Sequence, residues 1–173
     1  QPGDEVILFD PAYDSYSTAI QLAGGVPVHL RLEAPDYRVD WQQVATRLTP
    51  RTKLIIVNSP HNPTGMVFSH VDWLALQHLV TQHGLYCLSD EVYEHMVYDA
   101  APRLSANCFA ELAARSVIVS SFGKTFHVTG WKLGYAVAPA ALMTEFRKIH
   151  QYVTFSSFTP AQYGIAEMLR EQP

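Results

Sequence analysis

Lys124 is the side chain with the clearest chemical potential, and it lies within the stretch 117–135. A β-branched apolar run at 117–119 precedes it and predicts a buried strand. The surrounding segment has almost no other charge, although a second cation, Lys132, follows. A lysine in apolar, glycine-punctuated surroundings is costly unless its amine is paired or used covalently. The alternative is a lysine whose amine reaches solvent along its stem, and this stretch alone does not decide between the two.

Two other predicted strands also end in polar residues. The sequence Asn-Ser-Pro-His-Asn-Pro-Thr-Gly occupies 58–65, and Ser-Asp-Glu-Val-Tyr-Glu occupies 89–94. Each has an ordinary explanation: a proline-rich turn for the first, and a helix cap with solvated carboxylates at Asp90 and Glu91 for the second. In open α/β sheets, however, ligands bind in the crevice outside the carboxyl ends of the strands. Three polar strand ends therefore call for one joint explanation.

Alternating strands and helices must position these residues. Apolar runs predict strands at 5–9, 26–32, 54–57, 85–88, 117–119 and 133–137. Helices are expected at 13–22, 40–48, 69–83, 140–152 and 161–170, with Asp40 as one cap and Ser69 with Asp72 as another. Continuous apolar strands separated by helices predict an α/β fold. Its mainly parallel sheet would be covered by helices on both faces, in three α/β/α layers.

Composition limits the classes of function. The 173 residues suit one domain with a substantial core, since 48% are hydrophobic and 16% are charged. A net charge of −4 without long charged blocks argues against nucleic-acid partners and anionic membranes. No apolar run approaches the length of a membrane span. Cys87 and Cys108 lack metal-ligand spacing, so we expect free thiols in a reducing compartment such as the cytoplasm. The eight histidines show no metal pattern and are expected at surface or loop positions.

The polar motifs together resemble the fold type I, pyridoxal-phosphate-dependent aminotransferases of classes I and II. The likeness is strongest to the branch that contains methionine aminotransferase and the kynurenine–glutamine transaminases, through the stretches 9–16, 89–95 and 120–135. It covers 1–173 and implies the central part of the large, cofactor-binding domain, with an N-terminal segment and a C-terminal small domain outside the chain. The motifs in the family's order are Asn62-Pro63-Thr64-Gly65, Asp90 with Tyr93, Ser121-Phe122-Gly123-Lys124 and Gly130-Trp131-Lys132.

The resemblance implies pyridoxal 5'-phosphate as cofactor and a role for each motif residue. Lys124 would form a Schiff base with the cofactor aldehyde and, once freed, move the substrate's α-proton. Asp90 would pair with the pyridine nitrogen, while Asn62 and Tyr93 would hydrogen-bond the phenolic oxygen. Further implied contacts are phosphate binding by Ser121 and Lys132, ring stacking by Tyr13, and close backbone approach at Gly130. The segment 150–155 resembles one that reaches into the neighbouring subunit's active site, which implies a substrate-pocket role for Phe155 there. A core position is the alternative for Tyr13 and for Phe155. For Ser121 the alternative is a strand-end turn hydroxyl, and for Gly130 an ordinary loop glycine.

The implied activity is a ping-pong transamination between an amino acid and a 2-oxo acid, carried out by a homodimer. Methionine and aromatic or glutamine-type amino acids are the donors that the resemblance suggests. Two alternatives share these motifs. One is a carbon–sulfur β-lyase of the same fold, and the other is a non-catalytic aminotransferase-like sensor domain of a transcription regulator.

Overall fold

The computed structural model describes residues 1–99 and 102–171. Those residues form a six-stranded sheet from strands β1 to β6: Glu5–Asp10, Val26–Arg31, Thr52–Asn58, Tyr86–Asp90, Ser116–Ser121 and Gly134–Val137. Their spatial order is β2-β1-β3-β4-β5-β6. The first five strands are parallel, and β6 alone runs antiparallel to its neighbour β5. The predicted mainly parallel α/β sheet is therefore confirmed.

Helices connect the strands, and most of them begin close to the predicted positions. Helices α1 to α7 cover Ser15–Leu22, Trp41–Thr46, His70–Gln82, Ala110–Ala113, Phe122–Thr125, Ala140–Val153 and Thr159–Glu171. The short helices α4 and α5 were not predicted, nor were the 3-10 turns at Ala106–Cys108 and Thr129–Trp131. Among the described helices, none is long and apolar enough to cross a membrane.

Two of the helix starts confirm the capping predictions. The Asp40 carboxylate accepts hydrogen bonds from the backbone N–H groups of Gln42 and Gln43 at the start of α2. At the start of α3, Ser69 and Asp72 form a reciprocal capping box. These contacts satisfy backbone donors that the first turn of a helix leaves without partners. Local sequence signals were sufficient here because each cap involves residues only two or three positions apart.

The sheet is covered on both faces. Alternate residues of a strand point to opposite faces, so Ile7 and Phe9 belong to one core and Val6 and Leu8 to another. The first core includes buried residues of α2, α3 and α4, among them the fully buried Trp73. The second core is closed by α1. The three-layer prediction is correct.

The strands β4 and β5 extend further than predicted. We expected them to stop at 88 and 119, but they continue to Asp90 and Ser121. The reason is that Ser89 and Ser120 are buried and hydrogen-bonded, so the ladder continues through polar residues. Asp90 and Ser121 are thus the last residues of their strands, where the backbone fixes their directions.

Candidate active site

A cavity of about 320 Å³ lies at the carboxyl ends of β3, β4 and β5. Its volume falls at the lower end of the range for small-molecule sites, roughly 300–1,000 Å³. Six residues singled out from the sequence line it: Tyr13, Asn62, Asp90, Tyr93, Ser121 and Lys124. They meet because the carboxyl ends of neighbouring parallel strands lie at the same edge of the sheet.

Asp90 is held from two sides. The hydroxyl of Tyr16 on α1 donates to Asp90 Oδ2 at 2.5 Å, and the backbone N–H of Val92 donates to Oδ1 at 3.1 Å. Burial and the charge of Asp90 raise the pKa of the Tyr16 phenol well above its usual range, so Tyr16 remains a donor. Asp90 is therefore neither a helix cap nor a freely solvated carboxylate, and that alternative is wrong.

Its neighbour Glu91 has a different, structural position. The carboxylate is buried, and its Oε1 accepts hydrogen bonds from Ser89 Oγ and the Ala106 N–H. Burial raises the pKa of Glu91 above the ordinary value of a glutamate. Glu91 thus ties β4 to the 106–108 turn, so the solvated-cap explanation is wrong for this residue as well.

Asn58, the last residue of β3, fixes the loop that carries Asn62. The Asn58 side chain donates to the Asp90 carbonyl at 2.9 Å and accepts from the Asn62 N–H at 2.7 Å. This one buried amide joins the ends of β3 and β4 and sets the position of Asn62. The sequence reasoning missed both Asn58 and Tyr16. Tyr16 stands three residues after Tyr13, a spacing that indicates a shared face in the helix predicted at 13–22, although α1 begins only at Ser15.

Asn62, Tyr93 and Lys124 form a second group of residues that line the cavity. Asn62 Nδ2 lies 3.4 Å from the Tyr93 hydroxyl oxygen, so both groups can reach one ligand oxygen. Lys124 Nζ lies 5.9 Å from the centroid of the Tyr93 ring, within the reach of a cation–π contact. Lys124 lines the cavity and is exposed, on the short helix α5 that follows β5 directly. This exposure agrees with the alternative of an amine that reaches solvent, and the same position leaves the amine accessible to a ligand in the cavity.

The two expected phosphate ligands differ in their placement. Ser121 lines the cavity, but its Oγ caps α5 by accepting from the Gly123 N–H and donates to the Leu133 carbonyl at 3.2 Å. Lys132 is exposed, in a left-handed conformation with φ of 54°, and is not among the described residues that line the cavity. A phosphate contact by Ser121 would replace the bond to Leu133.

The two aromatic candidates, Tyr13 and Phe155, differ in whether they line the cavity. Tyr13 is 47% exposed and lines the cavity, so a core position is excluded, and its ring packs edge-on against Tyr16 with centroids 5.6 Å apart. Phe155 follows α6, is 87% exposed, and lies outside the described lining of the cavity. Phe155 therefore belongs neither to this chain's own cavity nor to its core, and its predicted role in the site of a neighbouring subunit stays a prediction.

The tightest backbone approach is at Gly134 rather than at the predicted Gly130. A Cβ placed on Gly134 would lie 2.5 Å from the Ser120 carbonyl oxygen, whereas one on Gly130 would meet nothing within 4 Å. The difference follows from the antiparallel pairing of Ser121 with Gly134. This close approach brings β6 against the strand that ends in the cavity.

His61 is held within its own loop. His61 is a loop residue as expected, but it is buried, its Nδ1 lies 2.8 Å from Thr64 Oγ1, and burial lowers its pKa. Within the described residues, no group of three or more histidine, cysteine or acidic side chains could hold a metal ion. Cys87 and Cys108 are both free, as predicted.

Comparison with known proteins agrees with this geometry. The model of the family "Aminotransferase class I and II" matches residues 1–173. The chain belongs to this family.

Its relatives within the family include members of the predicted branch. Methionine aminotransferase of Escherichia coli is 51% identical over 99% of this chain, and kynurenine–oxoglutarate transaminase 1 of Rattus norvegicus is 38% identical over 98%. The crystal structure of YbdL from Escherichia coli, for which a methionine aminotransferase function was identified, matches with a TM-score of 0.98 at 50% identity. It covers 100% of this chain and 46% of that one. The chain spans 44% and 43% of the two curated relatives, less than half of each.

The family depends on pyridoxal 5'-phosphate, and the side chains of the cavity fit that group. An aldehyde needs an amine, a basic ring nitrogen needs a carboxylate, and a phenolic oxygen needs hydrogen-bond donors. Lys124, Asp90 and the pair of Asn62 and Tyr93 supply these three functions around one cavity.

Proposed function

We propose that this chain forms the central part of the cofactor-binding domain of an aminotransferase that exchanges an amine between an amino acid and a 2-oxo acid. The convergence of Lys124, Asp90, Asn62 and Tyr93 at one edge of the sheet carries the proposal. In this proposal, Lys124 binds the aldehyde of pyridoxal 5'-phosphate covalently and Asp90 pairs with its ring nitrogen. Asn62 and Tyr93 donate to its phenolic oxygen.

Tyr13, Ser121 and Lys132 complete the proposed hold on the cofactor. The exposed ring face of Tyr13 is available for stacking against another ring. Ser121 can turn its hydroxyl from Leu133 towards a phosphate oxygen. Lys132 is an exposed cation in the same segment and is not among the described residues that line the cavity. Phe155 lies outside this chain's own cavity, and its proposed substrate contact is with the site of a neighbouring subunit.

The bound cofactor would supply an electron-withdrawing ring, a function that no side chain of the cavity has. Lys124 would then act as the proton carrier: its neutral amine takes the proton from the substrate's α-carbon and returns it. The carboxylate of Asp90 favours a positive charge on the ring nitrogen. The Tyr93 hydroxyl, 3.4 Å from Asn62 Nδ2, would donate to the phenolic oxygen together with Asn62, and Lys124 Nζ lies 5.9 Å from the centroid of the Tyr93 ring.

Methionine is the first amino donor to test, because a methionine aminotransferase is 51% identical to this chain. Kynurenine and other aromatic donors follow from the transaminase relative at 38% identity. We also propose a homodimer in the cytoplasm, and the two free thiols agree with a reducing compartment.

The experiment is a panel of amino donors and 2-oxo acids offered to the intact protein loaded with pyridoxal 5'-phosphate. A transaminase forms a new amino acid only when an oxo acid is present. A β-lyase would instead release pyruvate from cysteine conjugates without an acceptor, and that result would replace the proposal. Cofactor binding without turnover of any donor would favour the sensor domain.

A further inference from the structure

We propose that Tyr16 is a positioning residue that holds the Asp90 carboxylate in the orientation in which it receives the cofactor's ring nitrogen. This inference rests on the proposed function. It concerns a residue that touches Asp90 rather than the reacting atoms. Its basis is the short hydrogen bond from the Tyr16 hydroxyl to Asp90 Oδ2, at 2.5 Å.

The two oxygens of the carboxylate are held by different parts of the fold. Oδ2 accepts from Tyr16 on α1, and Oδ1 accepts from the backbone N–H of Val92, which follows β4. A carboxylate held at both oxygens cannot rotate about its Cβ–Cγ bond without losing one donor. Each oxygen accepts more than one hydrogen bond, so a site for a ligand donor remains. The side chain is therefore already oriented before a ligand arrives.

Tyr16 itself is fixed by packing. Its half-buried ring lies against the core that α1 forms with Val6, Leu8 and Ile56, and it meets the Tyr13 ring edge-on. Among the described residues, the other titratable groups around the cavity are Tyr13, Tyr93 and Lys124. Burial and the charge of Asp90 raise the pKa of Tyr16, so the phenol donates throughout the pH range of an assay. A tyrosine that is rigid and always protonated can orient a carboxylate.

A hydrogen bond to an ionised acceptor is a strong one. Removing such a bond changes an equilibrium by about 10- to 100-fold. Tyr16→Phe keeps the ring and its packing and removes only the donor. We therefore expect the affinity for the cofactor to fall by about tenfold or more, but only while Asp90 is present to use the bond.

The test is a double-mutant cycle on the dissociation constant of pyridoxamine 5'-phosphate, measured by calorimetry with the intact protein. This probe has an amine in place of the aldehyde, so it reports non-covalent binding without a bond to Lys124. We expect Tyr16→Phe to weaken binding by about tenfold or more in the parent protein and by less than about twofold in an Asp90→Ala background. Tyr86→Phe is the matched control, because it removes a phenol hydroxyl at the opposite end of β4 and should leave binding unchanged.

Each outcome of the double-mutant cycle supports or overturns the positioning role of Tyr16. Equal losses in both backgrounds, or no loss in the parent, would overturn the positioning role of Tyr16. Loss of the folded circular dichroism spectrum in Tyr16→Phe would do the same, because the hydroxyl would then be needed for folding. If the parent protein does not bind the probe, or Asp90→Ala binds it equally well, the proposed function fails rather than the inference alone.

Discussion

Replacing Gly134 with alanine should loosen the junction between β5 and β6. The new Cβ would lie 2.5 Å from the Ser120 carbonyl oxygen, whereas ordinary van der Waals contact begins at 3.4 Å. One strand must therefore move by about 0.9 Å (3.4 − 2.5). The obstructing atom is backbone, so no flexible side chain can turn away to make room.

This movement lowers the free energy of unfolding by an amount that can be calculated approximately. Overpacking a well-packed site costs about 1–3 kcal/mol, and a midpoint value of about 2 kcal/mol lowers the unfolding temperature of a domain of about 150–250 residues by about 4–8 °C. The strain falls beside the bonds that Leu133 O accepts from the Phe122 N–H and from Ser121 Oγ. Because Ser120 and Ser121 line the cavity, cofactor affinity should fall together with stability.

Gly130→Ala is the matched control, since the same methyl group there meets nothing within 4 Å. Neither glycine has a positive φ, so backbone strain does not separate the two variants. The assay is the thermal unfolding of the intact protein by circular dichroism, with and without cofactor. If Gly134→Ala is as stable as Gly130→Ala, the described register of β6 on β5 is wrong.

Two further predictions concern carboxylates near the cavity. Burial and the hydrogen bond to Glu94 raise the pKa of Tyr135 to about 12. Glu94→Gln should therefore return the pKa of Tyr135 towards 10.0. The measurement is a pH titration of tyrosinate absorbance, in which the Tyr135→Phe variant identifies the signal of Tyr135. The folded state favours the neutral phenol of Tyr135, so its contribution to the free energy of unfolding is complete below pH 10 and is lost as the pH rises towards 12. An unchanged titration of Tyr135 in Glu94→Gln would contradict the contact between the two side chains. Asp90→Ala should lower the transamination rate by about a hundredfold or more while the bond at Lys124 still forms, and an unchanged rate would remove its assigned role.

The parts of the site that could be predicted depend on strand ends. Lys124, Asp90 and Asn62 follow three apolar runs, and parallel strands bring their carboxyl ends to one edge. No distant contact had to be known for this result. The same reasoning holds for the caps at Asp40 and at Ser69, which are formed within a few residues.

The parts that were missed depend on contacts between distant residues. Tyr16 reaches Asp90 across 74 positions, which requires the rotation of α1 about its axis to be known. Gly134 is close to Ser120 only because of the antiparallel register, which the sequence does not reveal. The positions of Lys132 and Phe155 depend on left-handed backbone conformations, with φ of 54° and 60°, that few non-glycine residues adopt.

Covalent labelling tests the central claim most directly. The intact protein is incubated with pyridoxal 5'-phosphate, reduced with borohydride, digested, and analysed by mass spectrometry. We predict one reduced adduct at Lys124, absent in Lys124→Ala and retained in Lys132→Ala. An adduct at Lys132 in its place, or no adduct at Lys124, would contradict the assignment of this cavity as the cofactor site.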